Sequence, residues 1–119
     1  MTGTQAAEYR ELELQSSNLL LEADSRLVLS RYEEAAFHAL QAGRSRARMG
    51  ELNYKADEWA GAAEDWLSAA ACFLRATAPQ QAQTVLGVTA RPLRCQGEEG
   101  LTGDEVTVRI EALHFPLDA

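Results

Sequence analysis

The residues of this chain that can do chemistry are few and widely spaced. Arg44, Arg46 and Arg48 form its basic cluster. On a helix Arg44 and Arg48 share a face, and Arg46 points elsewhere. Two guanidiniums on one face can clamp a carboxylate or a phosphate through paired hydrogen bonds. The same spacing also suits a solvated face that balances Glu51 and its acidic neighbours. Arg31 and His38 are seven residues apart and fall on one helical face. Glu33-Glu34, Glu64-Asp65 and Glu98-Glu99 are adjacent carboxylates. Sequence neighbours on a helix diverge, whereas general acid–base chemistry needs carboxyl groups that converge across a cleft. Cys72 and Cys95, with His38 and His114, have none of the spacings of a zinc site. There is no glycine-rich phosphate loop and no Gly-x-Ser-x-Gly elbow. No metal and no cofactor is therefore expected. Trp59 and Trp66, two turns apart, either stack a ligand or pack within an alanine-rich stripe.

The elements that must carry these residues are helices. A chain of 119 residues with 46% hydrophobic and 24% charged side chains suits one globular domain. Its formal net charge of −7 disfavours non-specific binding to nucleic acid or anionic membrane. No apolar run approaches the ~20 residues of a membrane span, and residues 1–10 lack the pattern of a secretory signal. The expected location is the cytoplasm.

Helical periodicity is clear over the first two thirds. Leu12, Leu19, Leu20, Ala23 and Leu27 make one face of a first helix, about Gln5 to Leu29. Ser30-Arg-Tyr-Glu33 reads as a capping box that opens a second, with Tyr32, Ala35, Ala36, Ala39 and Leu40 inward. Gly43 reads as its stop. A thinner stripe of Met49, Leu52 and Ala56 suggests a third helix from Arg44, weakened by Gly50. Asp57 is placed to cap the fourth, whose inner face runs Trp59, Ala62, Ala63, Trp66, Leu67, Ala70, Phe73 and Leu74. Pro79 ends it or begins a new element. Gln80 to Leu86 suggests a short helix, and Arg91 to Gly103 reads as loop. Beyond that, Val106, Val108 and Ile110 alternate as in a strand, while Val106, Ile110 and Leu113 fit a helical stripe. The β-branched run favours the strand, for which Ala90 to Cys95 is the nearby partner in a short C-terminal hairpin.

Two segments resemble each other: Tyr32-Glu-Glu-Ala35-Ala36-Phe-His-Ala39-Leu-Gln-Ala42 and Trp59-Ala-Gly-Ala62-Ala63-Glu-Asp-Trp66-Leu-Ser-Ala69. Nine residues before each aromatic stands a small residue, Ala23 or Gly50. Over Leu19 to Pro79 the pattern resembles the tetratricopeptide repeat, in which small residues let helix pairs approach and aromatics fill the wedge between them. The aromatics are 27 residues apart, where that family repeats about every 34. The connection around Gly43 must then be very tight, or Arg31 to Ala56 forms a single long helix. Such repeats need about three copies to cover their end faces. Either the C-terminal segment caps the stack, or the chain forms a homodimer.

Arg31-x6-His38, with the sequence around it, is also similar to the Arg-x4–6-His motif of helical ribonuclease domains of the HEPN superfamily. That resemblance implies His38 as acid or base and Arg31 as the group stabilising phosphate charge.

The expected fold is mainly α: four to five helices in antiparallel hairpins over residues 1–90, with 91–119 as a loop-rich segment packed on or capping them. The expected function is non-enzymatic, a protein–protein interaction module that binds a partner peptide or helix in a groove between helix pairs. Leu12, Leu19, Arg44, Arg48, Asn53 and Tyr54 are its candidate contacts. The alternatives are a HEPN-like ribonuclease or inactive relative using Arg31 and His38, and a purely structural homodimer.

Overall fold

The computed structural model describes residues 1–95, which form four helices: α1 (Gly3–Val28), α2 (Tyr32–Lys55), α3 (Trp59–Arg75) and α4 (Pro79–Cys95). The expected strand at residues 106–110 lies outside the described residues, as does the remainder of the loop-rich segment beyond Cys95, while its expected hairpin partner, Ala90 to Cys95, is helical.

α1 opens with a capping box, its first helical residue Gly3 lying two residues before the expected start at Gln5. The Thr2 hydroxyl accepts the Gln5 N–H at 3.1 Å, and the Gln5 side chain accepts the Thr2 N–H at 2.9 Å. The inward face of α1 is the expected one. Ala23 is fully buried and Leu12, Leu19 and Leu20 are half-buried, but Leu27, at the end of the helix, is exposed. Ser16 joins this face fully buried, its hydroxyl donating to the Glu13 carbonyl at 3.0 Å.

The three connections are one turn used three times. Ser30, Asp57 and Thr77 take positive φ values of 59°, 58° and 56°. The amides of the residues that follow, Arg31, Glu58 and Ala78, return to the carbonyls of Arg26, Asn53 and Phe73 at 2.8 to 2.9 Å. This is the Schellman pattern, in which two orphan carbonyls at a helix end are satisfied by a reversal through a left-handed residue. Ser30 and Asp57 are thus helix-ending residues, not the N-caps that their types suggested. Arg31 and Glu58 occupy the cap positions of α2 and α3 without a side-chain cap bond.

α2 runs unbroken through Gly43 and Gly50, so the expected second and third helices are one. Both glycines are sockets, not stops. A Cβ on Gly43 would lie 2.6 Å from Phe73 Cε1, and one on Gly50 would overlap the indole of Trp66. Gly61 in α3 does the same for Asn53, whose Nδ2 would be 2.8 Å from a Cβ there. Gly43 with Phe73, Gly50 with Trp66 and Asn53 with Gly61 share one antiparallel register, so α2 and α3 interlock along most of their length.

α2 packs between α1 and α3, and α4 packs on α3. Ala63, Trp66, Leu67, Ala69, Ala70 and Phe73 of α3 form the main core with Ala82 and Val85 of α4. A second contact joins Ala23, Ala39 and Ala76. There three alanines let the helices meet closely. Tyr32, expected inward, is 66% exposed. Its counterpart Trp59 is half-buried, edge-on to Tyr54 with ring centroids 5.3 Å apart. α4 begins at Pro79, where a missing N–H costs nothing, and continues to Cys95. The short helix expected from Gln80 is therefore longer, and the loop expected from Arg91 does not begin before residue 96. No described helix is long and apolar enough to cross a membrane.

Candidate functional site

Arg44 and Arg48, four residues apart on α2, line one wall of a groove of about 570 Å³ between α2 and α4, with Glu51 beside them. Ala47, Phe73 and Val85 give it an apolar floor, and Gln80, Gln81 and Thr84 of α4 form the opposite wall. Phe73, one of the floor residues, packs against the bare backbone of Gly43. Arg46 points elsewhere, as the helical spacing requires: its Nη1 donates to Ser68 Oγ of α3 at 2.6 Å.

The two groove arginines are not equivalent. Arg48 bridges helices, with Nε 3.0 Å from Glu8 Oε1 of α1 and Nη1 3.1 Å from Glu51 Oε2. Lys55 completes the row at 3.0 Å from Glu51 Oε1, and the hydrogen bonds from Lys55 and Arg48 hold the Glu51 carboxyl below its ordinary value. Arg44 is exposed and makes no ion pair among the described residues. It is the cation that a ligand in the groove would meet unspent.

Asn53 and Tyr54, expected on the same surface, serve the interior. Asn53 Nδ2 and the Tyr9 hydroxyl both donate to Asp65 Oδ2 at 2.8 Å, so one carboxylate oxygen ties α1, α2 and α3 together. Burial pushes the Asp65 carboxyl up, with Glu64 adding to the shift and the bonds from Tyr9 and Asn53 opposing it. Burial, reinforced by Asp65, pushes Tyr9 up to about 12, which keeps its hydroxyl a donor. Tyr54 stands between Trp59 and Trp66, with centroids 5.3 and 5.5 Å away. Leu12 is half-buried on the packed face of α1. Leu19 lines a separate shallow furrow along α1 with Glu11, Leu14, Gln15, Asn18 and Glu22. The six anticipated contacts thus fall in different places, and only Arg44 and Arg48 share a groove.

The depression that Arg31 lines does not include His38. Arg31 is exposed at the α2 cap, 3.7 Å from Glu34 Oε2, in a depression formed with Ser30, Tyr32, Glu33 and Glu34. His38 is half-buried beside Phe37, and its Nδ1 is buried without a hydrogen-bond partner among the described residues. Sequence reasoning missed the Tyr9–Asp65–Asn53 network, since 56 residues separate Tyr9 from Asp65. It also missed the α4 wall, because Gln80, Gln81 and Thr84 belong to no chemical motif. Cys72 is a buried free thiol, and burial raises its pKa. No cluster of metal-binding side chains occurs among the described residues. Comparison with protein-family models, with curated proteins and with solved structures gives no match.

Proposed function

We propose that this domain is a non-enzymatic protein-interaction module whose α2–α4 groove takes a partner segment with an apolar anchor and a neighbouring carboxylate. The observation that supports this reading is the pairing of an apolar floor, Ala47, Phe73 and Val85, with an exposed Arg44 on the rim that makes no ion pair among the described residues. An apolar side chain laid on the floor gains by leaving water. A carboxylate on Arg44 adds a charge-assisted hydrogen bond, and Gln80 and Gln81 supply donors and acceptors for the partner's backbone. The net charge of −7 keeps most anionic partners away, so a local cation beside an apolar channel selects by position.

Selection of peptides from a display library on the intact protein tests this. Sequences that combine an apolar residue with an acidic one should be enriched. Arg44→Glu, and Thr84→Trp, which fills the channel from the exposed wall, should each weaken their binding by about tenfold or more. Selected peptides that bind both variants as tightly as the parent would remove the groove from consideration.

A further inference from the structure

The face of α1 opposite its packed side carries Ala7, Leu14, Leu21 and Val28, each seven residues after the last. That is the spacing of a coiled-coil seam. Leu14 is 65% exposed, Leu21 67% and Val28 84%. Single exposed leucines are ordinary, but an aligned apolar row on a helix already buried along its other face marks a contact surface. Steps of about 100° per residue place Glu11 and Glu22 along one side of this row, and Glu13 and Asp24 along the other. Leu14, Glu11 and Glu22 also border the shallow furrow that runs along α1. Arg10 stands in line with the row at its N-terminal end. Asp24 engages Arg75 and Glu22 lies 3.3 Å from Arg26, while Glu11 and Glu13 make no ion pair among the described residues.

Charge selects the occupant. A second copy packed antiparallel about a two-fold axis, with Leu14 opposite Leu21, would set Glu11 against Glu22 on one flank and Glu13 against Asp24 on the other. Residues 96–119 of this chain bring six acidic side chains against the single Arg109. Both occupants meet like charge. We infer that α1 is a docking surface for an amphipathic helix of another protein, with apolar residues at heptad spacing flanked by Lys or Arg. Glu11 and Glu22 are three turns apart, about 16 Å, and would each take one of its cations. This surface is separate from the α2–α4 groove and has the opposite sign, so the inference does not depend on that reading. With both in use, the domain joins a basic helix to an acidic segment.

Two synthetic helical peptides with identical heptad leucines, one flanked by Lys and one by Glu, test the inference when titrated into the isotope-labelled full chain. The Lys-flanked peptide should bind, shift the amide signals of outward α1 residues, and weaken as salt rises. Leu21→Asp should weaken it by about tenfold or more. Glu11→Lys with Glu22→Lys should transfer affinity to the Glu-flanked peptide. Both sets of positions are exposed or half-exposed, and a helical circular dichroism spectrum checks that the fold persists. Four results would overturn the inference: perturbations centred away from α1; Leu21→Asp binding as well as the parent; a concentration-dependent dimer abolished by Leu21→Asp; or Leu21→Asp shifting the signals of residues 96–119 in the free chain. The last two would assign the face to a second copy or to the chain's own C-terminal segment.

Discussion

The indole of Trp66 lies on the bare backbone of Gly50 and donates its Nε1 hydrogen to the Ala47 carbonyl 3.0 Å away. The two facts are linked. Ala47 is three residues before Gly50, so its carbonyl opens onto the same face of α2, and only a residue without a Cβ lets the ring reach it. A large side chain is thereby buried with its polar atom satisfied, which is the condition for placing Trp in a core.

Gly50→Ala should therefore destabilise the protein, although Ala favours a helix by about 1 kcal/mol. The added methyl meets a ring held by a hydrogen bond, and overpacking of this kind costs about 1–3 kcal/mol or more. We expect a net loss of about 2 kcal/mol by urea unfolding. In a Trp66→Leu background the same substitution should lose most of its effect. A Gly50→Ala protein as stable as the parent would show that the close approach is not what Gly50 is for.

The turns offer the opposite case. Thr77 is β-branched and sits at φ 56°, a region in which such residues are outliers. Thr77→Gly should raise stability by about 1 kcal/mol, seen as a higher melting temperature. Asp57→Gly should gain less, because Asp tolerates the left-handed region better than Thr. A lower melting temperature for Thr77→Gly would mean that its hydroxyl bond to the Ala76 carbonyl outweighs the strain.

Asp65 should give the fold a measurable pH dependence. Burial raises its pKa above the usual 3.8, so the folded chain holds the proton more tightly than the unfolded chain. Its contribution to stability is then fully present below the unfolded value and is lost as pH rises through the raised folded value. Asp65→Asn removes this titration while keeping the shape. Urea unfolding of both proteins at pH 7 and pH 4 should show the parent gaining on the variant at the lower pH. A difference independent of pH would contradict the assignment.

Tyr32 and Trp59 test the repeat directly, since alignment gives them the same place. Tyr32 is 66% exposed, whereas Trp59 rests edge-on against Tyr54. Tyr32→Ser should change stability by no more than about 0.5 kcal/mol. Trp59→Ser should cost about 1–2 kcal/mol, the loss of an aromatic contact with its buried area. Equal costs would restore the equivalence that the sequence suggests.

Periodicity carried the helices and most of the core, because Ala62, Ala63, Trp66, Leu67, Ala70 and Phe73 repeat at the spacing of one helical face. It also placed Arg44 and Arg48 together and turned Arg46 away. What misled were residues with two physical uses. Glycine ends helices and also admits a neighbour's ring, and Gly43 and Gly50 do the second. Ser and Asp cap helix starts, yet Ser30 and Asp57 occupy the left-handed corner just before the cap position. Local sequence cannot separate these uses, since the deciding partners, Phe73, Trp66 and the carbonyls of the preceding helix, are fixed by packing. The α2–α4 groove was half legible for the same reason: its basic wall is a motif, and its other wall is simply where α4 comes to rest.

The repeated turn sets a rule for how this chain can change. Arg31, Glu58 and Ala78 each close one helix and open the next, since the amide of each caps the helix behind and its carbonyl accepts the first bond of the helix ahead. No corner holds a spare residue. An insertion or deletion there must unmake both helix ends at once, and one within α2 or α3 must shift Phe73 and Trp66 off their sockets. A change of length between Leu29 and Ala78 therefore disturbs more than its own site, while substitutions on the solvent-facing row of α1 or the walls of the groove leave these contacts intact. Such an architecture changes its contacts more readily than its length.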